Sequence, residues 1–177
     1  IKKFGSLNGV LDASEQELCE VEGIGPSSAL LIHIVRATMR KYYLEQIKAR
    51  KEIKTPQSVV DFCRASLQCE SNEVFEIIYL TSRSTVIDVE RITIGTIDRA
   101  SISPRKIVES ALKKKAAALI FVHNHPSGEP SPSREDIELT EAFTKIASSL
   151  GIAVMDHIIV GRGKFFSIRA NCEIKSP

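Results

Sequence analysis

The run Ala117-Ala118-Leu119-Ile120-Phe121-Val122 limits the possible folds of this chain more than any other stretch. It is apolar at every position, too short for a buried helix, and β-branched or aromatic towards its end, as expected of a central strand covered on both faces. Such a strand needs a layer of helices on each side, which makes the domain around it α/β with three layers. The run then breaks into His123-Asn124-His125-Pro126. Ionisable groups therefore stand at the end of a buried strand, where open α/β sheets place their ligand sites.

The flanking sequence supplies the rest of a mixed sheet. Residues 74–80 and 85–89 read as strands joined by a Thr81-Ser82-Arg83-Ser84 hairpin, and Ile92-Thr93-Ile94 as more strand ending at Gly95. Ser103-Pro104 is a helix start, with the helix running to about Lys114. A Pro/Gly/Ser loop covers 126–132, and a helix spans about 133–150, with Ile137, Phe143, Ile146, Ala147 and Leu150 on one side and a stop at Gly151. Residues 152–160, a Gly161-Arg162-Gly163 turn and 165–168 form a closing strand pair.

A different texture precedes Thr55. Ser14 caps a short acidic helix, with Asp12 as an alternative cap, and Gly23-Ile24-Gly25-Pro26 interrupts before a long helix from about Ser27 to the Arg50 region. Thr55-Pro56 closes this connector and opens a further short helix carrying Val59, Val60, Phe62, Cys63 and Leu67. Residues 1–54 thus read as a small all-α module with its connecting helix, and residues 55–177 as the α/β domain. Ile1-Lys2-Lys3-Phe4-Gly5 has no initiator Met and no signal-peptide pattern, so the start reads as a cut or processed edge with more chain upstream.

At 177 residues and 43% hydrophobic, the chain can bury one modest core and a small accessory module. No apolar run approaches the roughly 20 residues that span a bilayer, which excludes membrane-helix functions. Cys19, Cys63, Cys69 and Cys172 form no Cys-x-x-Cys pair, and they read as reduced thiols in a cytoplasmic protein. The net charge of +2 implies nothing about partners, but its distribution is uneven. Arg36, Arg40, Lys41, Lys48, Arg50, Lys51 and Lys54 face only Glu45 and Glu52 between His33 and Lys54. Attraction to polyanions would belong to that front part; a solvated helix face is the plainer reading.

The chemistry gathers in His123-Asn124-His125 and Ser133-Arg134-Glu135-Asp136. Side chains alternate along a strand, so the two histidines point the same way. Ten residues, stiffened by three prolines, separate His125 from Asp136 in the first turn of the next helix. Two imidazoles and a carboxylate are three protein ligands, the number a catalytic zinc keeps while leaving a fourth position for water. Other patterns fail: a metallo-β-lactamase needs Asp where Ser127 stands, and a His-x-His amidohydrolase needs a barrel of about 250 residues. Two histidines capping a sheet edge, with Ser133-x-x-Asp136 as a capping box, is the plain structural alternative.

His123-x-His125, ten residues, then Asp136, with Ser133 three residues ahead, resembles the JAMM signature of MPN-fold metalloenzymes. The chain is closer still to the bacterial RadC family, whose members carry a segment like His123-Asn124-His125-Pro126-Ser127-Gly128 with Pro132-Ser133 and Asp136. Gly95-Thr96-Ile97-Asp98, Pro104-Arg105 and Asp156-His157-Ile158-Ile159-Val160-Gly161 also fall at family-like positions. The resemblance implies a cytidine-deaminase-like α/β/α domain with a mixed sheet behind a helix-hairpin-helix module. It implies one zinc ion per chain on His123, His125 and Asp136. Ser133 matches the serine that steadies an oxyanion, and Glu73 the general base, with Glu76 and Glu90 as rivals.

The implied activity is a metalloprotease-like hydrolysis of amide or isopeptide bonds in a peptide or protein. DNA is a possible partner through Gly23, Ile24 and Gly25, whose backbone could hold a phosphate, although Ser27 and Ser28 stand where DNA-binding members often carry a basic residue. Two alternatives stay open: a repair- or recombination-associated DNA-binding protein with the MPN domain as scaffold, and a metal-dependent nuclease. Asp156 and His157 read either as a pair orienting a ligand or as a buried hydrogen bond supporting the sheet, and His33 as structural.

Overall fold

The computed structural model describes residues 1–49, 53, 57–67, 70, 72–93 and 102–174. Six helices are seen, α1 (Leu7–Asp12), α2 (Glu15–Cys19), α3 (Pro26–Ala49), α4 (Gln57–Leu67), α5 (Pro104–Lys113) and α6 (Arg134–Ser148). Six strands, β1 (Val74–Leu80), β2 (Val86–Thr93), β3 (Ala118–Asn124), β4 (Ala153–Val160), β5 (Phe165–Ser167) and β6 (Cys172–Ile174), form one sheet ordered β2-β1-β3-β4-β5-β6. Among the described residues only β3 and β4 pair in parallel, across the α6 connection, and the other pairings are antiparallel. The mixed three-layer sheet inferred from the sequence is therefore present.

β3 is buried at all seven positions, as its unbroken apolar run requires. Its even-numbered side chains, Ala118, Ile120 and Val122, pack with Val59, Val60, Phe62, Cys63 and Leu67 of α4 and with Ile47 of α3. The odd-numbered Leu119 and Phe121 pack with Ile107 and Ala111 of α5 and Phe143 and Ala147 of α6. This alternation sets the face of every site residue.

Three elements differ from the sequence reading. β2 runs unbroken through Glu90 and Arg91, because Tyr79, Ser110 and Lys114 satisfy the Glu90 carboxylate, and Glu70, Ser66 and Glu76 accept from the Arg91 guanidinium. β6 follows a turn at Asn171 (φ 49°) and extends the edge by three residues. α1 exists although its six residues include Asn8 and Gly9, because the Ser6 hydroxyl caps it. The Gly95–Asp98 segment, Thr55-Pro56 and Cys69 lie outside the described residues.

Ser14 is the α2 cap, its hydroxyl accepting from the Glu17 N–H while Glu17 accepts from the Ser14 N–H at 2.8 Å. Gly23 turns the chain at φ +84°, a left-handed conformation that costs other residues strain. Ile24 then packs on Ala13, Leu18 and Ala29, a small satellite core. His33 Nε2 lies 3.2 Å from the Ala13 carbonyl, a contact that ties α3 to the turn before α2. α3 continues beyond this module, so that Ile47, Tyr43 and Leu44 join the core beneath the sheet. Arg36, Arg40 and Lys48, three of the front-end cations, pair with Glu70, Glu76 and Asp88 of the α/β region.

Candidate metal centre

β3 ends at Asn124, and the side-chain alternation sends His123 to the α5/α6 face, where its ring stacks on Phe75 with 14° between planes. His125 lies just past the strand, its N–H donating to the Val160 carbonyl at 2.9 Å. The loop after it folds onto the β4–β5 turn, where Arg162 N–H donates to the Gly128 carbonyl at 2.8 Å. A Cβ on Gly161 would lie 2.5 Å from that same carbonyl, so only glycine lets the two turns meet. This closure brings the loop back to the strand end, and α6 starts beside it.

Asp136 occupies the third position of α6. Ser133 caps the helix by accepting from the Asp136 N–H at 3.1 Å, and its own N–H and hydroxyl donate to Asp136 Oδ2 at 2.8 and 2.6 Å. The capping box and the candidate ligand are thus one structure. His123 Nε2 and His125 Nε2 lie 2.9 Å apart, and each is 3.3 Å from a different oxygen of Asp136. Ligand atoms from the three residues fall within 4.8 Å of one another.

The chemistry of this donor set decides whether a metal fits. His125 Nδ1 lies 2.9 Å from the Glu129 carbonyl, which can only accept, so Nδ1 carries the proton and Nε2 presents a lone pair. The hydrogen bond with Asp136 raises the His125 pKa above its ordinary value, against the effect of burial. Burial would raise the Asp136 carboxyl, but His125, the charge of His123 and the bonds from Ser133 together hold it well below the usual range. In the metal-free protein protonated His125 is the counter-charge of the Asp136 carboxylate, and a cation held by the same three residues would take its place. Two nitrogens and an oxygen match zinc.

A family model, the RadC-like JAB domain, matches residues 53–173, well over half of the chain. The chain belongs to the RadC-like JAB domain family. In this RadC-like domain the match contains β1–β5, all but the last residue of β6 and all three triad residues, and α1–α3 precede it.

The remaining candidates of the RadC-like domain separate by face. Continuing the β1–β3 register, in which Phe75 opposes His123, sets Glu73 opposite His125. Glu73 is half-buried, and its charge contributes to the raised His125 pKa. Glu76 points to the other side of the sheet, fully buried against Arg40, Arg91 and Ser66. Glu90 is turned to Tyr79, Ser110 and Lys114.

Asp156 and His157 do not pair through their side chains, because neighbours on a strand face opposite ways. Asp156 accepts from the His157 backbone N–H and from the Ser167 hydroxyl, each at 2.7 Å. The His157 ring instead lies 2.7 Å from His123 Nδ1. Gly23, Ile24 and Gly25 form the turn into α3, well separated in sequence from the triad.

Asn124 had no role in the sequence reading. Its Oδ1 accepts from the Val74 N–H at 2.8 Å, and its Nδ2 donates to the carbonyls of Glu70 and Asn72 at 3.1 and 3.0 Å. The asparagine between the two histidines therefore clamps the segment that carries Glu73. A polar side chain pointing to the buried face of an otherwise apolar strand was the available signal.

A cleft of about 1030 Å³ opens between this site and the front module. His125, Pro126, Gly128 and Arg162 line one side, Phe4, Ser14 and Glu17 the other, and Arg36, Arg40 and Glu70 also contribute to the wall.

Proposed function

We propose that this RadC-like domain is a zinc-dependent hydrolase that cuts an amide or isopeptide bond in a peptide or protein. The observation that carries the reading is the convergence of His123 Nε2, His125 Nε2 and the Asp136 carboxylate, with Nδ1 of His125 already committed to a backbone carbonyl. The three residues would hold one zinc ion, which when bound would supply Lewis acidity and lower the pKa of a water to about 7.

The chain's own groups account for the rest. Glu73, beside His125, takes a proton at its carboxylate and returns it to the leaving nitrogen. The Ser133 hydroxyl, which donates to Asp136 Oδ2, swings its proton to the developing oxyanion of the substrate. The cleft accommodates an extended polypeptide, with the front module as its far wall. One carboxylate base beside one metal site suits acyl chemistry better than a two-metal phosphodiester cleavage. DNA contact through Gly23, Ile24 and Gly25 would then bring the hydrolase to its place of action.

The test is elemental analysis of native protein beside Asp136→Ala and His125→Ala. About one zinc per chain, lost in both variants, is the expected result. It justifies screening peptide and isopeptide substrates with Glu73→Gln as the control for chemistry without loss of metal. Native protein that takes up no zinc, and whose folding ignores a chelator, would sink the hydrolase and leave a scaffold acting through its front module.

A further inference from the structure

The second imidazole of the triad is held by a relay that begins outside it. His123 Nδ1 lies 2.7 Å from His157 Nε2, and His157 Nδ1 lies 2.6 Å from the Thr140 hydroxyl. That hydroxyl is also 2.6 Å from the Asp136 backbone carbonyl, one turn earlier in α6. A carbonyl cannot donate, so the single hydroxyl proton must point at it. Thr140 is then an acceptor towards His157, whose Nδ1 must carry a proton.

The consequence passes down the line. In the neutral ring, protonation at Nδ1 leaves Nε2 as an acceptor, so the proton in the 2.7 Å contact belongs to His123 Nδ1. His123 Nε2 then carries the lone pair of its ring, and that atom faces the triad, 2.9 Å from His125 Nε2 and 3.3 Å from Asp136 Oδ1. His157 is wholly buried, and its ring packs edge-on to both Phe75 and Phe121, so it cannot turn over to reverse the order.

We infer that Thr140 and His157 are positioning residues that fix His123 as the Nδ1–H tautomer and so prepare Nε2 to take a metal ion. The relay starts at the backbone carbonyl of Asp136, a residue of the triad itself. The helix that delivers the carboxylate therefore also sets the proton order of the opposite imidazole. His125 reaches the same state by a shorter route, through the Glu129 carbonyl. The use of this state rests on the zinc reading above, but the proton order itself does not.

Two readouts test the relay. Long-range proton–nitrogen spectra of the metal-free protein, recorded at a pH where the imidazoles are neutral, identify the protonated nitrogen of each ring. In native protein His123 and His157 are both expected to be protonated at Nδ1. In Thr140→Val, which keeps the volume and removes the hydroxyl, the two rings are expected to lose their single tautomer, and Thr140→Ser should restore it. Zinc affinity, measured by competition with a chelating dye, should fall roughly 10- to 100-fold in Thr140→Val and recover in Thr140→Ser.

A native spectrum with His123 protonated at Nε2 overturns the inference, whatever the variants do. Zinc affinity and tautomers unchanged in folded Thr140→Val also overturn it, while leaving the metal centre intact. Failure of native protein to bind zinc would defeat the hydrolase reading alone, since the spectra still decide the proton order.

Discussion

The sheet carries a buried polar cluster on each face, and the two are built differently. On the α3/α4 face the fully buried Glu76 carboxylate accepts from Arg40 at 3.0 Å, Arg91 at 2.9 Å and Ser66 at 2.7 Å. Donors and acceptors match there, and the cluster ties α3 and α4 to β1 and β2. On the α5/α6 face His123, His125 and Asp136 bring acceptor atoms together, and their outward-facing protons go to His157 and to a backbone carbonyl. The first cluster is neutralised by its own chain, and the second presents ligand atoms that could hold a cation. A buried charge matched by its own chain is architecture, whereas acceptors arranged against one another mark a site meant for something else.

The sharpest way to break the comparison is to remove Glu76. Glu76→Ala leaves two guanidinium groups facing each other beneath the sheet, which should cost about 3 kcal/mol, the low end for breaking a buried pair, because both arginines reach solvent. Urea unfolding of the metal-free protein checks the cost, and elemental analysis should show zinc uptake unchanged. Intact stability together with lost zinc would mean that the two clusters have been assigned the wrong way round.

Asn124 tests the join between site and sheet. Asn124→Ala leaves the Val74 N–H and two carbonyls of the 70–74 segment without their partner, at a cost of about 2 kcal/mol. If the clamp serves Glu73, turnover of a peptide substrate should fall further than zinc affinity does. Equal losses would reduce Asn124 to a purely structural role.

Ser133 stands between cap and ligand support. Ser133→Ala should cost about 1 kcal/mol as a lost helix cap. It should also weaken zinc binding through loss of the bond to Asp136 Oδ2, though less than Asp136→Ala does. Calorimetric zinc titration separates the two effects. Unchanged affinity would confine Ser133 to capping, with any oxyanion role then visible only in turnover.

How much of this was legible in the sequence depended on the range of the interaction. The apolar run into β3, the alternation that puts His123 and His125 on one side and the cap that fixes Asp136 are local, and all could be read directly. Glu73 matches the family's base by resemblance, and the β1–β3 register, continued two residues beyond Phe75, sets it opposite His125, whereas Glu76 of β1 faces the other side of the sheet. Asp156 and His157 looked like partners because they are neighbours, whereas strand geometry sends them to opposite faces. The Thr140 relay joins α6 to β4 and back to β3, and no spacing in the chain announces such a loop. The sequence reads as two strand pieces, 85–89 and 92–94, yet partners from α4, α5 and β1 hold Glu90 and Arg91 in a continuous strand.

The smallest expected effect bears most directly on whether these atoms hold a cation. In the metal-free protein the raised His125 pKa means that protonated His125 stabilises the fold. That contribution is fully present below the unfolded value of 6.5 and is lost as pH rises through the higher folded value. Asp136 runs the other way. Its lowered pKa gives stability above the unfolded value of 3.8, lost only as pH falls through the depressed folded value. Between those two unfolded values both contributions act, and the share due to the His125–Asp136 pair goes as pH rises through the folded His125 value. A metal ion on the same atoms must displace the His125 proton, so zinc binding should release protons and strengthen as pH rises. Unfolding midpoints of metal-free and zinc-loaded protein should therefore move apart from about pH 6 to pH 8. A constant gap, with the same heat of zinc binding in buffers of different ionisation enthalpy, would mean that no proton is displaced. His125 would then not be a ligand. In Asp136→Asn the largest cause of the raised pKa is gone, so the metal-free slope should flatten.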